Sequence, residues 1–376
     1  MKPTFIALLA LCLFLVGCQT TPKGINPDIA LEAAAVIVNP WKSHIPSTRR
    51  QGVPGIERTA KGRLWVVHGR DVESPRNYQV LKRSDNNGRT WSSAKVMILP
   101  QQYVRAMSAS IWIDPRGRMW VFWGQSFGQQ DGRYGIWTIV TDNPDAENPV
   151  WSEPRRLGDG IMLNKPTVLS NGDWLFTSSV WKAENSIKVY ASTDQGQTFH
   201  LRGTANVLPA EARGPDEPMI VQRQDGSLWM MVRSRGIAET VSHDCGKTWT
   251  PVKRIDGMRH PTARFFLRRL NSGSLLLVKH GPLDIRTRRE KLMAFVSADD
   301  GKTWQGGLMI DEREKVTYPD GVQAEDGTIY IIYDYNRTPD GIVLMAIFTE
   351  DDVRAGKVVS EKVHLRVEIA RLESKQ

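Results

Sequence analysis

From Gly55 to Asp334 the hydrophobic positions fall into pairs of short apolar runs, each pair joined by a polar turn that closes on a glycine. GIERTAKGRLWVV, SIWIDPRGRMWVFW, TVLSNGDWLFTSS, MIVQRQDGSLWMMV, FFLRRLNSGSLLLV and GVQAEDGTIYIIYD are the successive copies. Their turn glycines are Gly62, Gly117, Gly172, Gly226, Gly273 and Gly327, at spacings of 55, 55, 54, 47 and 54 residues. Period-two alternation on both sides of a glycine turn predicts a β-hairpin in each copy. Recurrence at a nearly constant period predicts a repeat architecture.

A second pattern runs at the same period. Ser84 to Trp91 (SDNNGRTW), Ser192 to Phe199 (STDQGQTF), Ser242 to Trp249 (SHDCGKTW) and Ser297 to Trp304 (SADDGKTW) are four copies of S-x-D-x-G-x-T-W, the Asp box. The segment from Thr141 to Trp151 reads as a decayed copy. The Asp and Gly of such a box make a tight turn and the aromatic residue packs between sheets. A metal loop would need more carboxylates per copy. Each unit of about 54 residues therefore holds two hairpins, or four strands, and six such units in radial array make an all-β fold, a six-bladed β-propeller. No linker interrupts residues 30 to 376, which read as one domain. The segment Ala30–Val38 is expected to add a strand that closes the ring, and Glu350 to Gly356 a short helix.

Composition narrows the class. With 40% hydrophobic and 24% charged residues the chain is globular rather than disordered. Three cysteines exclude a disulfide scaffold. The net charge of +9 is spread along the chain, which suits steering of anionic ligands, and no nucleic-acid module is visible. The one long apolar run, Phe5 to Val16, follows Lys2 and is too short for a membrane span; it reads as a leader over residues 1–17. It ends in Leu15-Val16-Gly17-Cys18, which looks like a bacterial lipobox. Cys18 is then the acylated N-terminus of a lipid-anchored envelope protein, with Gln19 pointing to the outer membrane and residues 18–29 forming a polar tether. Cys245 is left as the lone unmodified thiol.

The repeat register locates polar groups on one face. If the first strand of each unit lines the central channel and descends to the glycine turn, the residues nine before that glycine stand at the upper mouth. These are Val53, Ser108, Leu163, Glu217, Arg264 and Tyr318. The second strand climbs back to the same face at Gly69, Gly124, Ser179, Arg233, His280 and Asp334. The third descends from the level of Glu73 and Arg289 to the Asp boxes, which lie at the opposite end. Glu217, Arg233, Arg264, Arg289, Tyr318 and Glu73 are thus expected to converge on one rim, a site for an anionic ligand.

These segments resemble the sialidase superfamily over nearly all of the chain beyond the leader. DEPMIVQRQDGSLWMMVRS is similar to the family segment that ends in an arginine, and places a glutamate at Glu217 and an arginine at Arg233. RREKLMAFVSADDGKTW is similar to the stretch preceding a family Asp box, with an arginine at Arg289. YPDGVQAEDGTIYIIYD puts Tyr318 where the nucleophile stands, and ESPRNYQVLKRS puts Glu73 where the general acid stands, with Asp71 as an alternative acid. The resemblance implies an exo-sialidase in which arginines grip the carboxylate of the sugar, an uncharged phenol attacks where a carboxylate would be repelled, Glu217 takes the phenol proton, and neither metal nor organic cofactor is used.

One departure stands out. The family's first arginine falls on Gly52, and Arg50 or Arg264 could replace it. Pro319-Asp320 follows the tyrosine, and Asp320 could activate a water for inversion. His280, at the upper level by its register, is expected on the substrate side of the rim. Three functions stay open: a sialidase acting on sialylated glycans, a glycosidase for another acidic sugar such as a Kdo-like or uronic acid, and a glycan-binding propeller without catalysis. The segments Trp123–Tyr134 and Ile161–Pro166 are expected to shape specificity.

Overall fold

The computed structural model describes residues 24–101, 103–128, 133–180, 184, 186–206 and 215–372. The leader, Cys18 and the first part of the tether lie outside the described residues. Six antiparallel sheets form a six-bladed β-propeller, each from a contiguous stretch of chain. Blade 1 holds the strands Gln51–Arg58, Leu64–Arg70, Tyr78–Ser84 and Val96–Leu99, and blade 2 holds Val104–Ile113, Met119–Phe127, Gly135–Thr141 and Arg155–Asp159. Blade 3 runs from Thr167 to Asn206, blade 4 from Met219 to Arg254, blade 5 from Phe266 to Asp311 and blade 6 from Val316 to Ala370.

Alternation along the strands makes both faces of each sheet apolar, because both are covered by neighbouring blades. Between blades 2 and 3 the contact is aromatic: Trp112, Trp120 and Phe122 meet Trp174, Phe176 and Tyr190, with Trp112 and Trp174 edge to face at 4.9 Å. The Asp boxes sit at the lower end and reach back to the preceding blade. In blade 3, Ser192 Oγ accepts from the Gly196 amide at 2.7 Å, and Asp194 accepts from the amide and hydroxyl of Thr198 at 2.9 and 2.6 Å. A Cβ on Gly196 would stand 2.7 Å from Trp120 of blade 2 and Trp174, so the turn needs glycine for packing as well as for its left-handed φ of 85°. The decayed copy keeps this role: the Pro144 carbonyl accepts from Trp65 Nε1 at 3.1 Å, and Trp151 lies edge to face on Trp65.

The N-terminal segment corrects one expectation. Ala35–Val38 pairs only with Val96–Leu99 and becomes the fifth, outermost strand of blade 1. It does not close the ring. Closure falls instead to two carboxylates of blade 6 that accept from backbone amides of blade 1: Asp334 from Val53 at 2.7 Å and Asp320 from Ile56 at 3.0 Å. The short helix is present over Glu350–Ala355, with a capping box at Thr349 and a left-handed C-cap at Gly356. The following strand, His364–Ala370, completes blade 6.

Candidate active site

The upper mouth is shaped by a bulge repeated in three blades. The inner strands of blades 1, 2 and 6 each shift register, between Gly52 and Gly55, Met107 and Ser110, and Thr317 and Asp320. At each bulge the residue nine before the turn glycine adopts a left-handed backbone: Val53 at φ 54°, Ser108 at 53° and Tyr318 at 55°. For a β-branched or aromatic residue this conformation costs of order 1–3 kcal/mol. The freed amides of blade 1 are satisfied by Asp334 and Asp320, as above. The bulge therefore re-aims one side chain per blade toward the mouth, and in blade 6 that side chain is Tyr318.

Four of the expected residues meet there. The Tyr318 hydroxyl donates to Glu217 Oε1 at 3.3 Å. Arg233 pairs with the same oxygen and lies 3.4 Å from the Tyr318 hydroxyl. Arg289 donates to the Thr262 carbonyl at 2.8 Å, and Arg233 reaches the same carbonyl at 3.4 Å, so the two guanidiniums share an anchor. Glu217 is 1% exposed, and its second oxygen has no hydrogen-bond partner. Burial works to lower the Arg233 pKa, but the Glu217 carboxylate and the Tyr318 oxygen more than offset it and hold the group above its usual range. Burial instead lowers Arg289, against a smaller opposing effect from Tyr318.

A fifth residue was missed by the sequence reading. Arg337, in the loop after the second strand of blade 6, lays its guanidinium 4.3 Å from the centroid of the Tyr318 ring. It donates to Asp334 at 3.1 Å, to Thr317 Oγ1 at 2.9 Å and to Glu73 at 3.1 Å. Burial works to lower its pKa, but the Asp334 carboxylate, the Tyr318 oxygen and the Glu73 carboxylate hold it up. Its stem crosses Gly52: a Cβ there would stand 2.5 Å from Asp334 Oδ2 and 3.0 Å from Arg337 Cγ and Cδ. The glycine at the expected arginine position is the space through which Arg337 passes. The signal was readable, since Asp334 reaches the upper face by register and Arg337 lies three residues beyond it.

Other expected residues are placed differently. Arg264 is buried in the channel, 3.6 Å from Asp320, not on the rim, because the blade 5 inner strand starts only at Phe266 and has no bulge to turn the residue outward. Asp320 is also buried. Besides the Ile56 amide it faces Lys165 at 3.4 Å, and Lys165 donates to Glu57 at 2.8 Å and to the Ile111 carbonyl at 3.0 Å. This cluster bolts blades 1, 2, 3 and 6 together, and its Lys165 and Asp320 line a lower cavity of the channel rather than the one at the mouth. His280 points into the interior, with Nε2 2.8 Å from the Val316 carbonyl and Nδ1 3.2 Å from His260 Nε2. The Val316 carbonyl accepts the Nε2 proton, so Nδ1 accepts from His260, and burial lowers the His280 pKa to about 4. Arg50 lies 2.7 Å from Glu73, so Glu73 is held between Arg50 and Arg337. Asp71 turns into its own loop, where it accepts from Ser74 Oγ at 2.9 Å.

Beside the tyrosine opens a cavity of about 570 Å³ lined by Arg50, Glu73, Arg289, Lys315 and Arg337 among others. Met107, Tyr134, Ile161, Leu163 and Val180 form a cluster against which Tyr318 packs, and three of them come from the two segments expected to shape specificity. A larger cavity of about 640 Å³ lies lower in the channel, among the inner strands of blades 3, 4 and 5, and brings no nucleophile and base together. Among the described residues no group of three His, Cys, Asp or Glu side chains is placed to hold a metal ion.

Residues 76–331 match the BNR repeat-like domain. The chain belongs to that family. No curated protein sequence matches it. Among solved structures, this BNR-repeat chain is similar to the Hadza microbial sialidase Hz136, at TM-score 0.65 and 19% identity over 81% of this chain and 67% of the other. It is similar to the NanB sialidase from Streptococcus pneumoniae, at 0.62 and 13% over 92% and 70%. It is also similar to the intramolecular trans-sialidase from Ruminococcus gnavus, at 0.63 and 12% over 84% and 98%. At these identities the likeness is one of fold: the BNR-repeat chain has the sialidase-like propeller.

Proposed function

We propose that the protein is a glycoside hydrolase of the sialidase type that releases a terminal sialic acid from glycans. The observation that carries this reading is the 3.3 Å contact between the Tyr318 hydroxyl and buried Glu217, made under three arginines. Arg233, Arg289 and Arg337 grip the carboxylate of the sugar through charge-assisted hydrogen bonds. Glu217 takes the phenol proton as the oxygen attacks the anomeric carbon, and the aglycone oxygen leaves with a proton from the acid. Arg337 over the ring favours the electron-rich oxygen that forms as the proton departs. Water then cleaves the tyrosyl intermediate with Glu217 and the acid in reversed roles, so the anomeric configuration is retained.

Glu73, which lines the cavity, is the acid of this scheme, and Asp71, turned into its own loop, is the weaker candidate. The burial of Asp320 beneath the mouth argues for retention over inversion by an activated water. A second reading, a glycosidase for another acidic sugar, is favoured by one observation. The third arginine arrives from blade 6 rather than from the start of blade 1, which changes the direction from which a carboxylate is gripped. Product NMR on sialyllactose tests both. Free sialic acid, first seen as the anomer of the substrate and abolished in Tyr318→Phe, supports the sialidase; cleavage restricted to other acidic glycosides supports the second reading. Binding without turnover in either series would make the protein a lectin.

A further inference from the structure

We propose that the face carrying Tyr318 and Glu217 is turned toward the membrane that anchors the chain, so that its saccharide is borne on that same surface. The inference takes acylation of Cys18 as the anchor and rests on the glycosidase reading for what the face does. Its orientation comes from where the tether joins the fold. The turn Pro27–Leu31 docks on blade 2, where Ile25, Ile29 and Ala30 pack on Tyr103, Val104 and Phe127. Gln125 donates to the Ala30 carbonyl at 2.9 Å, and Arg133 pairs with Asp28 at 2.8 Å. Val104 begins the descending inner strand and Phe127 ends the ascending one, so the tether leaves from the upper rim.

Lengths decide the rest. From Cys18 to Gly24 a fully extended chain spans at most about 22 Å. The inner strand Val104–Ile113 is ten residues long, which is roughly 33 Å of blade height at the rise of an antiparallel strand. An anchor on the upper rim therefore cannot bring the lower rim to the bilayer. The exposed apolar pair at the lower edge, Trp41 and Val150 near the Asn39–Asn148 bond, lies beyond its reach. The upper face has a suitable surface. The loop from Gly281 to Lys291 carries Arg286, Arg288, Arg289 and Lys291 against Asp284 and Glu290, and Ile285 at its tip is 53% exposed. Leu31, 47% exposed, stands beside the tether. Cations with exposed aliphatic groups suit an anionic headgroup layer.

The test uses the full-length acylated protein in phosphatidylethanolamine and phosphatidylglycerol vesicles that carry acceptor-labelled lipid. Cys245, exposed in the lower Asp box of blade 4, is the natural site for a donor dye; Cys245→Ser with Arg235→Cys moves the dye to an upper turn of the same blade. Stronger energy transfer from position 235 than from 245 is expected, and equal or reversed transfer overturns the orientation, as does a mature Cys18 without lipid by mass spectrometry. With a sialylated glycolipid, cleavage within the same vesicle should exceed cleavage across vesicles by about tenfold or more, and a Gly/Ser insert of about 40 residues after Lys23 should reduce that preference. A soluble sialoside and other acidic glycosides all left intact by every form would refute the glycosidase reading, while the dye measurement would still decide the orientation.

Discussion

The two halves of the ring are built differently. In blades 6, 1 and 2 the inner strands run 8, 8 and 10 residues, carry the three bulges and pack tightly around Lys165, Glu57 and Asp320. In blades 3, 4 and 5 they run 2, 4 and 4 residues without a bulge and leave the lower channel open as the larger cavity. The strained half supplies Tyr318, Arg337, Arg50 and Glu73. The regular half supplies Glu217, Arg233 and Arg289 from strand ends and loops. The site is the seam across which they meet, so the backbone strain falls on the nucleophile's side and the buried charge pair on the base's side. Changes to the first half should disturb aim; changes to the second should disturb charge.

The largest effects test the seam itself. Tyr318→Phe and Glu217→Gln should each lower turnover of a fluorogenic sialoside by roughly 10³-fold or more, the scale of losing a nucleophile or its general base, with the melting temperature little changed in Tyr318→Phe. Arg233→Ala should combine lost binding with destabilisation of about 3–5 kcal/mol, because it leaves Glu217 buried without its cation; urea unfolding reads the second part. If Arg233→Ala unfolds at the wild-type midpoint, the picture of a charge-bearing half is wrong.

Next in size is the coupling of Gly52 to Arg337. Arg337→Ala should reduce kcat/KM by about 10²-fold, within the 2–5 kcal/mol expected when one partner of a buried charge pair is removed. Gly52→Ala should produce much of the same loss without touching a charge, because its methyl would occupy the path of Arg337 and crowd Asp334. The informative outcome is the double variant: if Gly52 acts through Arg337, the two losses do not add. Additive losses would mean that the glycine matters only for the backbone.

Legibility followed the same division. The blades, hairpins and Asp boxes could be read because each repeats at fixed spacing and a shift of one residue would turn every apolar side chain outward. Register also put Tyr318, Glu217, Arg233 and Arg289 at one mouth. It failed where the chain departs from the repeat. Arg264 and Tyr318 share a register position, yet a bulge turns one up and its absence leaves the other in the channel. Nothing in the local composition distinguishes the two strands. Arg337 lies in a loop that belongs to no repeat position, and His280 is on the upper level but under the loop that follows it. Ala35–Val38 has strand composition, but which edge it joins depends on the path of a tether with no periodicity.

An effect of similar size, on stability rather than turnover, concerns pH. His280 is buried and neutral in the fold, with its pKa lowered to about 4, and His260 beside it is lowered well below its usual value, in both cases mainly by burial. The unfolded chain protonates these rings near 6.5, so it binds more protons than the fold between pH 6.5 and about 4. Stability is complete above that window and falls as the pH drops through it, by on the order of 3 kcal/mol for His280 alone. His280→Gln should flatten this part of the stability curve in chemical unfolding at stepped pH. An unchanged slope would place the acid sensitivity elsewhere in the ring.

The smallest expected effect lies far from the seam, in the one Asp box of the four that lacks its aspartate. Asn86 still accepts from the Thr90 amide at 2.9 Å and from Ser84 Oγ at 3.0 Å, but it meets the Thr90 hydroxyl as a donor, at 2.8 Å. In the other boxes a carboxylate accepts both bonds from the threonine, and those hydrogen bonds pull Asp194, Asp244 and Asp299 down to about 2. Asn86→Asp should therefore strengthen the turn by charge-assisted bonds, against repulsion from the adjacent Asp85, which already holds Arg63 at 2.5 Å and Arg83 at 3.5 Å. The two effects nearly cancel, and the net gain should stay below about 0.5 kcal/mol, the range of an ordinary surface substitution. A rise of several degrees in melting temperature would instead mean that blade 1, at the centre of the strained half, is held back by its lower turn.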